Sequence, residues 1–252
     1  MATEAADHGV GGPSPLEQFE IKRLVDIDFG FDASITNSSI FMMVAVVGVT
    51  IFMVVGMRGG ALVPGRWQSL AEMSYEFVAG MLRDNVGSAG RRYFPFVFTL
   101  FMFILFCNLI GMIPYTFTVT SHIVVTFALA AVVFIGVTVI GFIRNGIGFL
   151  KLFVPSGVPI FLLPLLVLIE FISYLTRPIS LSVRLFANMM AGHTMLKVFG
   201  GFVVSLGIVG GWAPLAFVVA LTGLEILIAF LQAYVFAILT CIYLNDAFHV
   251  HH

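Results

Sequence analysis

Apolar residues in this chain come in long unbroken runs, separated by brief clusters of glycine, proline and charge. A run of about 20 apolar residues crosses the hydrocarbon core of a bilayer as one helix. Backbone that cannot reach water must satisfy its hydrogen bonds inside the segment, which favours helix. The runs predict spans at about 39–57, 93–113, 123–143, 159–199 and 213–243. The short connection between the second and third spans makes them antiparallel neighbours. The last two runs exceed the length of an upright crossing, so tilt or curvature is expected of them.

The stretch at about 64–85 has a different pattern. Trp67, Leu70, Ala71, Tyr75, Phe77, Val78, Met81 and Leu82 recur at helical spacing, while Gln68, Glu72, Glu76, Arg83 and Asp84 are polar. That alternation suits an amphipathic helix lying in the membrane interface. The predicted fold is an all-α membrane protein with about five transmembrane helices plus one interfacial amphipathic helix, the last two helices long, tilted and paired as a hairpin. Residues 1–38 form a polar segment with a short amphipathic helix over Pro15–Leu24, and residues 39–252 form a single helical membrane domain.

Composition supports the bilayer as solvent: 60% of residues are hydrophobic and 10% are charged, against about 25% charged in soluble domains. A net charge of −1 speaks against nucleic acid and against a polybasic anchor. Residues 1–35 carry Glu4, Asp7, Glu17, Glu20, Asp26, Asp28 and Asp32 against Lys22 and Arg23. This is no secretory signal, and the first span is expected to direct its own insertion. Arg58, Arg66, Arg83, Arg91 and Arg92 separate the first two spans, and Arg144 and Lys151 follow the third. By the positive-inside rule the N-terminus lies outside and the C-terminus on the cytoplasmic or matrix side. Cys107 and Cys241 fall within apolar runs and read as small buried side chains. His249, His251 and His252 lie in a polar tail and make a poor metal site. No metal or cofactor is implied.

The chemistry gathers in the last two runs. Arg184 sits among Leu181, Val183, Leu185 and Phe186. A guanidinium cannot shed its proton to escape a low dielectric, and a charge at the bilayer centre costs roughly 2.5–3.5 kcal/mol on insertion scales. A chain that keeps such a group uses it. At 100° per residue, Arg177 falls about 20° and Arg184 about 40° from Glu170, with Asn188 in line. His193, nine residues beyond Arg184, falls on the opposite face. The final run holds Glu225 and Gln232, seven residues apart on one face. Folding the two runs as an antiparallel hairpin near Gly210 and Gly211 puts His193 level with Glu225, and puts both Asn188 and Arg184 near the level of Gln232.

Ser173, Thr176 and Ser180 either bond back to their own helix, as hydroxyls in membrane helices usually do, or line a polar path. Arg177 either snorkels to headgroups or acts in function. Glu170 either partners Arg177 or sits at an entry mouth. Asn108, alone in the second span, is structural or functional. Ala187 and Ala191 permit close helix approach. Glu225 and His193 form either a static pair or a proton relay, and titratable pairs in lipid favour the relay.

The run RPISLSVRLFANMMAGH, from Arg177 to His193, closely resembles the signature of the subunit-a family of F-type ATP synthases. The similarity extends to Glu225 and LQAY at 231–234, to FCNLIGMIPY at 106–115 and to PLEQFEI at 15–21. It implies a membrane stator beside a rotating ring of c subunits, tied to peripheral-stalk b-type subunits, in a bacterial plasma membrane or mitochondrial inner membrane. Arg184 would be the stator arginine facing the ring carboxylate. Asn188, His193, Glu225 and Gln232 match positions lining or bordering the outer half-channel. Glu170, Ser173 and Thr176 match positions near the inner one. Many bacterial relatives exchange the histidine and carboxylate found here at 193 and 225, whereas mitochondrial members share this arrangement.

Two other classes predict different features. A secondary transporter using Arg184 as a counter-ion would show internal repeats and matching broken helices, and none is evident. An intramembrane hydrolase would need a nucleophile–base or zinc motif, and neither H-E-x-x-H nor G-x-S-x-G occurs. No nucleotide-binding G-x-x-x-x-G-K-[ST] occurs either, so any ATP chemistry belongs to partner chains.

Overall fold

The computed structural model describes residues 23–25, 35–59, 64–113, 116–154 and 161–248. The helices are α1 (Asn37–Met57), α2 (Arg66–Val86), α3 (Phe94–Gly111), α4 (Ile123–Asn145), α5 (Leu163–Ser205), the single turn α6 (Gly207–Gly210) and α7 (Trp212–Phe248). Short 3-10 segments occupy Gly87–Tyr93, Val119–Ser121 and Gly146–Phe153. The fold is all-α, apart from a small antiparallel ladder of β1 (Arg23–Val25) on β2 (Ile35–Thr36). Of the amphipathic piece expected over Pro15–Leu24, only the last two residues are described, and they are extended. The terminal histidines 249, 251 and 252 lie outside the described residues.

Among the described residues, five helical runs are long and apolar enough to cross a membrane. Thr36 caps the first, its hydroxyl accepting from the Ser39 amide at 3.4 Å. That bond satisfies one of the orphan donors of the first turn. α2, the 3-10 turn and α3 join into one 46-residue run, so the interfacial stretch is continuous with the second span. α2 lies against α1, α3 and α7. Gly56 lets α1 approach closely, since a Cβ there would meet the Cβ of Ala71 at 2.8 Å.

α7 is central and touches α2, α3, α4 and α5, while α5 packs on α4 and α7. Their shared core is filled by Phe101, Phe149, Phe236, Leu181, Leu185 and Met189. α5 has 43 residues; at 1.5 Å per residue it is about 65 Å long, roughly twice the ~30 Å hydrocarbon core. It runs past the expected end at 199 because Gly200 and Gly201 do not break it. In an apolar medium the intrahelical hydrogen bond outweighs the low helix propensity of glycine. The turn comes at 206–211, where Gly207 adopts φ +62°, a conformation open to glycine at little cost. α7 then returns antiparallel to α5, so the last two spans form the predicted hairpin.

Candidate functional site

The hairpin sorts its polar groups by face. Leu181, Leu185, Met189 and His193 turn into the protein, while Ser173, Thr176, Ser180, Arg184, Ala187, Asn188 and Ala191 are exposed. The 3.6-residue period produces this division, and the half-turn between Arg184 and His193 puts them in different surroundings. Arg184 forms no ion pair or hydrogen bond with any described residue. Its neighbours along the exposed stripe are small, so the guanidinium stands on a surface that another helix could approach closely.

His193 and Glu225 meet inside, 6% and 4% exposed. Nδ1 of His193 lies 2.5 Å from Oε1 of Glu225, and Nε2 lies 2.8 Å from the carbonyl oxygen of Gly111 at the end of α3. Oε2 of Glu225 is buried and has no hydrogen-bond partner among the described residues. Two ionisable groups so far from water are costly unless they share charge or a proton, and this contact lets them do so. Gly192 makes the room: a Cβ there would stand 2.8 Å from Oε1 of Glu225.

Two turns along α7, Gln232 is also buried. Its Oε1 accepts from Nδ2 of Asn188 at 3.0 Å, while its own Nε2 is without a partner among the described residues. Gln232 thus pairs with Asn188, and Arg184 stays clear of it. Asn188 reaches from the exposed stripe, one turn from Arg184, to the buried face that holds Glu225. The register inferred for the hairpin is observed for both polar pairs.

Toward the other end of α5, Arg177 donates from Nη1 to Oδ2 of Asp246 at 2.9 Å and stands over the rings of Tyr174 and Tyr243. Glu170 is therefore not its partner. Thr176 donates to the Ser173 carbonyl at 2.8 Å, the back-bonding expected of a hydroxyl in a membrane helix. Glu170, Ser173 and Thr176 share the arginine's helix but form no closed cluster with it.

Asn108 is fully buried. It donates to the Ala229 carbonyl at 3.2 Å and accepts from Thr120 Oγ1 at 2.8 Å, pinning the α3–α4 connection onto α7. Beyond it, His122 stacks on Phe117 with ring centroids 4.9 Å apart, and burial lowers its pKa below the ordinary imidazole value. Gly192, the Gly111 carbonyl, Thr120 and Asp246 were not singled out from the sequence. Asp246 could have been: its position number and that of Arg177 sum to nearly the value shared by the other two pairs. The carbonyl carries no residue-type signal at all.

Comparison with known proteins identifies the family. The family model described as ATP synthase A chain matches residues 39–245. The chain is 63% identical to ATP synthase subunit a of Pelagibacter ubique over 95% of its length and 99% of the relative's. It is 61% identical to that of Parvibaculum lavamentivorans over the whole of both chains. To that of Chelativorans sp. it is 64% identical, over 94% of this chain and 98% of the relative. With the arginine on an open face of a long antiparallel hairpin and the histidine–glutamate pair behind it, the chain belongs to the ATP synthase A chain family.

Proposed function

We propose that this chain is the proton-conducting stator subunit of a rotary ATP synthase. Two offset aqueous half-channels meet a passing ring of c subunits on either side of Arg184. The observation that carries this reading is the placement of Arg184 near the midpoint of α5. It is exposed on a stripe of small residues and unpaired among the described groups. A closed internal ion pair would have argued for a structural arginine.

A protonated ring carboxylate can face lipid, whereas an ionised one is expensive there. Opposite Arg184 the fixed positive charge favours ionisation, and the proton leaves by the inner path past Thr176, Ser173 and Glu170. Arg177 stands at the border of that path, held by Asp246. A fresh proton arrives by the outer path, which Asn188, Gln232, His193 and Glu225 border. Arg184 also repels a proton that would run straight from one path to the other. Each charge moved through the potential yields about 2.3 kcal/mol per 100 mV, and the ring converts this into rotation for ATP synthesis by other subunits.

In this reading α2 lies along the inner membrane surface and α1, exposed along most of its length, faces lipid or a b-type stalk helix. The N-terminus is outside and the C-terminus on the cytoplasmic or matrix side. The test is Arg184→Ala in the assembled complex. Coupled synthesis and ATP-driven pumping are expected to vanish, with a passive proton leak in their place. Normal coupled rates would refute the role. Copurification of the wild-type chain with a small two-helix ring-forming proteolipid tests the partner directly.

A further inference from the structure

The surroundings of the His193 ring differ in their chemistry. Nε2 lies 2.8 Å from the Gly111 carbonyl oxygen. A carbonyl only accepts, so this nitrogen carries a hydrogen. Nδ1 lies 2.5 Å from Oε1 of Glu225. The Gly111 oxygen belongs to a peptide group, which does not take up a proton in the physiological range. The oxygen opposite Nδ1 belongs to Glu225. The Gly111 carbonyl is in turn held by Thr118 Oγ1 at 3.2 Å, which fixes the acceptor opposite Nε2.

An imidazole that hands a proton onward takes it at one nitrogen and releases it from the other. Release from Nε2 here would deliver a proton to a carbonyl that cannot hold it. We propose that His193 is a positioning residue for Glu225 and that Glu225 alone carries the transported proton, loading and unloading at Oε2. This rests on the function proposed above and divides roles within its outer path.

In the step itself, ionised Glu225 takes a proton at Oε2 from a hydronium of the outer path, leaving water. It then gives that proton to an ionised ring carboxylate and is itself ionised again. The close contact of Oε1 with Nδ1 stays within the pair and orients the carboxylate. Neither carboxylate oxygen has a hydrogen bond among the described residues, and Oε2 is the one outside that ion-pair contact. Two turns on along the same face of α7, Gln232 has a buried amide nitrogen without a partner among the described residues. From there Asn188 leads to the exposed stripe. On the elements packed around the ring, the other titratable groups nearest in sequence to the pair and its Gly111 contact are Lys197, one turn along α5, Cys107 on α3, and His122 beyond the 3-10 segment; Arg184, Arg177, Tyr174 and Glu170 lie farther back along α5, and Tyr234, Cys241, Tyr243 and Asp246 farther on along α7.

The experiment uses membrane vesicles of the complex stripped of its catalytic sector, with potential-driven proton uptake followed across pH. In His193→Gln the amide still donates to Gly111 but cannot relay. Conductance is expected to fall less than about tenfold, with a displaced pH profile, while Glu225→Gln loses about 100-fold or more, as removal of an acid–base carrier does. His193→Gln conducting as poorly as Glu225→Gln, at equal subunit content, overturns the assignment. So does an unchanged pH profile, which would make the ring a mere filler.

Should His193→Gln fail to assemble, ¹⁵N-imidazole spectra of the wild-type complex decide. Nε2 is expected to remain protonated at every pH that supports conduction, and a populated state with bare Nε2 overturns the proposal. Wild-type vesicles that conduct no protons would instead refute the function itself.

Discussion

Gly192 and Glu225 are in contact across the hairpin, so closely that the smallest side chain on one would collide with the carboxylate of the other at 2.8 Å. Overpacking of this kind costs typically about 1–3 kcal/mol, and here the part that must yield is the reactive group. Gly192→Ala is expected to leave assembly intact and to cut ATP-driven proton pumping by about tenfold, the equivalent of 1.4 kcal/mol. Adding Glu225→Asp, which withdraws the carboxylate by one methylene, should restore part of the loss. Dye-quenching assays on inverted vesicles check both. Unchanged pumping in the alanine variant would show that the carboxylate has room elsewhere.

Exchanging the partners gives a second expectation. Neither His193→Glu nor Glu225→His alone keeps a complementary pair, whereas the double exchange does. The double variant should pump faster than either single variant. It should still fall short of wild type, because a carboxylate at 193 would face the lone pairs of the Gly111 carbonyl. A double variant no better than the poorer single would break the pairing.

The Thr120–Asn108–Ala229 chain predicts a stability effect separable from transport. Thr120→Val removes the donor to a fully buried carboxamide oxygen, and an unsatisfied buried acceptor costs about 1–3 kcal/mol. The solubilised complex should lose its membrane sector at lower temperature, read by thermal scanning of intact complexes. A melting profile identical to wild type would mean that water replaces the hydroxyl.

His122 supplies a pH dependence. Burial lowers its pKa in the folded state, so below about 6.5, the ordinary value, the unfolded or opened loop binds the proton more readily than the closed one. Stability of this region is therefore full above that pH and is lost as pH falls through it. Hydrogen exchange at residues 118–126 should accelerate on acidification, and His122→Phe, which keeps the stack on Phe117, should remove the acceleration. Equal acid sensitivity in the two proteins would point to another group.

How much of this was legible in the sequence depended on which physical signal carried it. Span number and the hairpin followed from hydropathy and length. The level pairing of His193 with Glu225 and of Asn188 with Gln232 followed from the fixed rise of two antiparallel helices. The reach of α5 through Gly200 and Gly201 did not, because propensity measured in water misjudges a segment whose backbone has no other partner. The same register rule brings Asp246 level with Arg177, but Glu170 lies two turns away on the arginine's own helix, and packing rather than spacing decides between the two. The Gly111 carbonyl was beyond reach, since every residue has one and only the fold selects which meets a ring.

The two long helices are fastened to each other at intervals: by the glycine turn, by His193 with Glu225, by Asn188 with Gln232, and by Arg177 with Asp246. In the proposed stator, a rotor dragging on the outer face of α5 loads those fastenings in shear, as rungs share the strain on a ladder pushed sideways. The polar pairs that border the ion route would thereby also resist the recoil of each rotational step. Loosening one rung would cost torque as well as conductance.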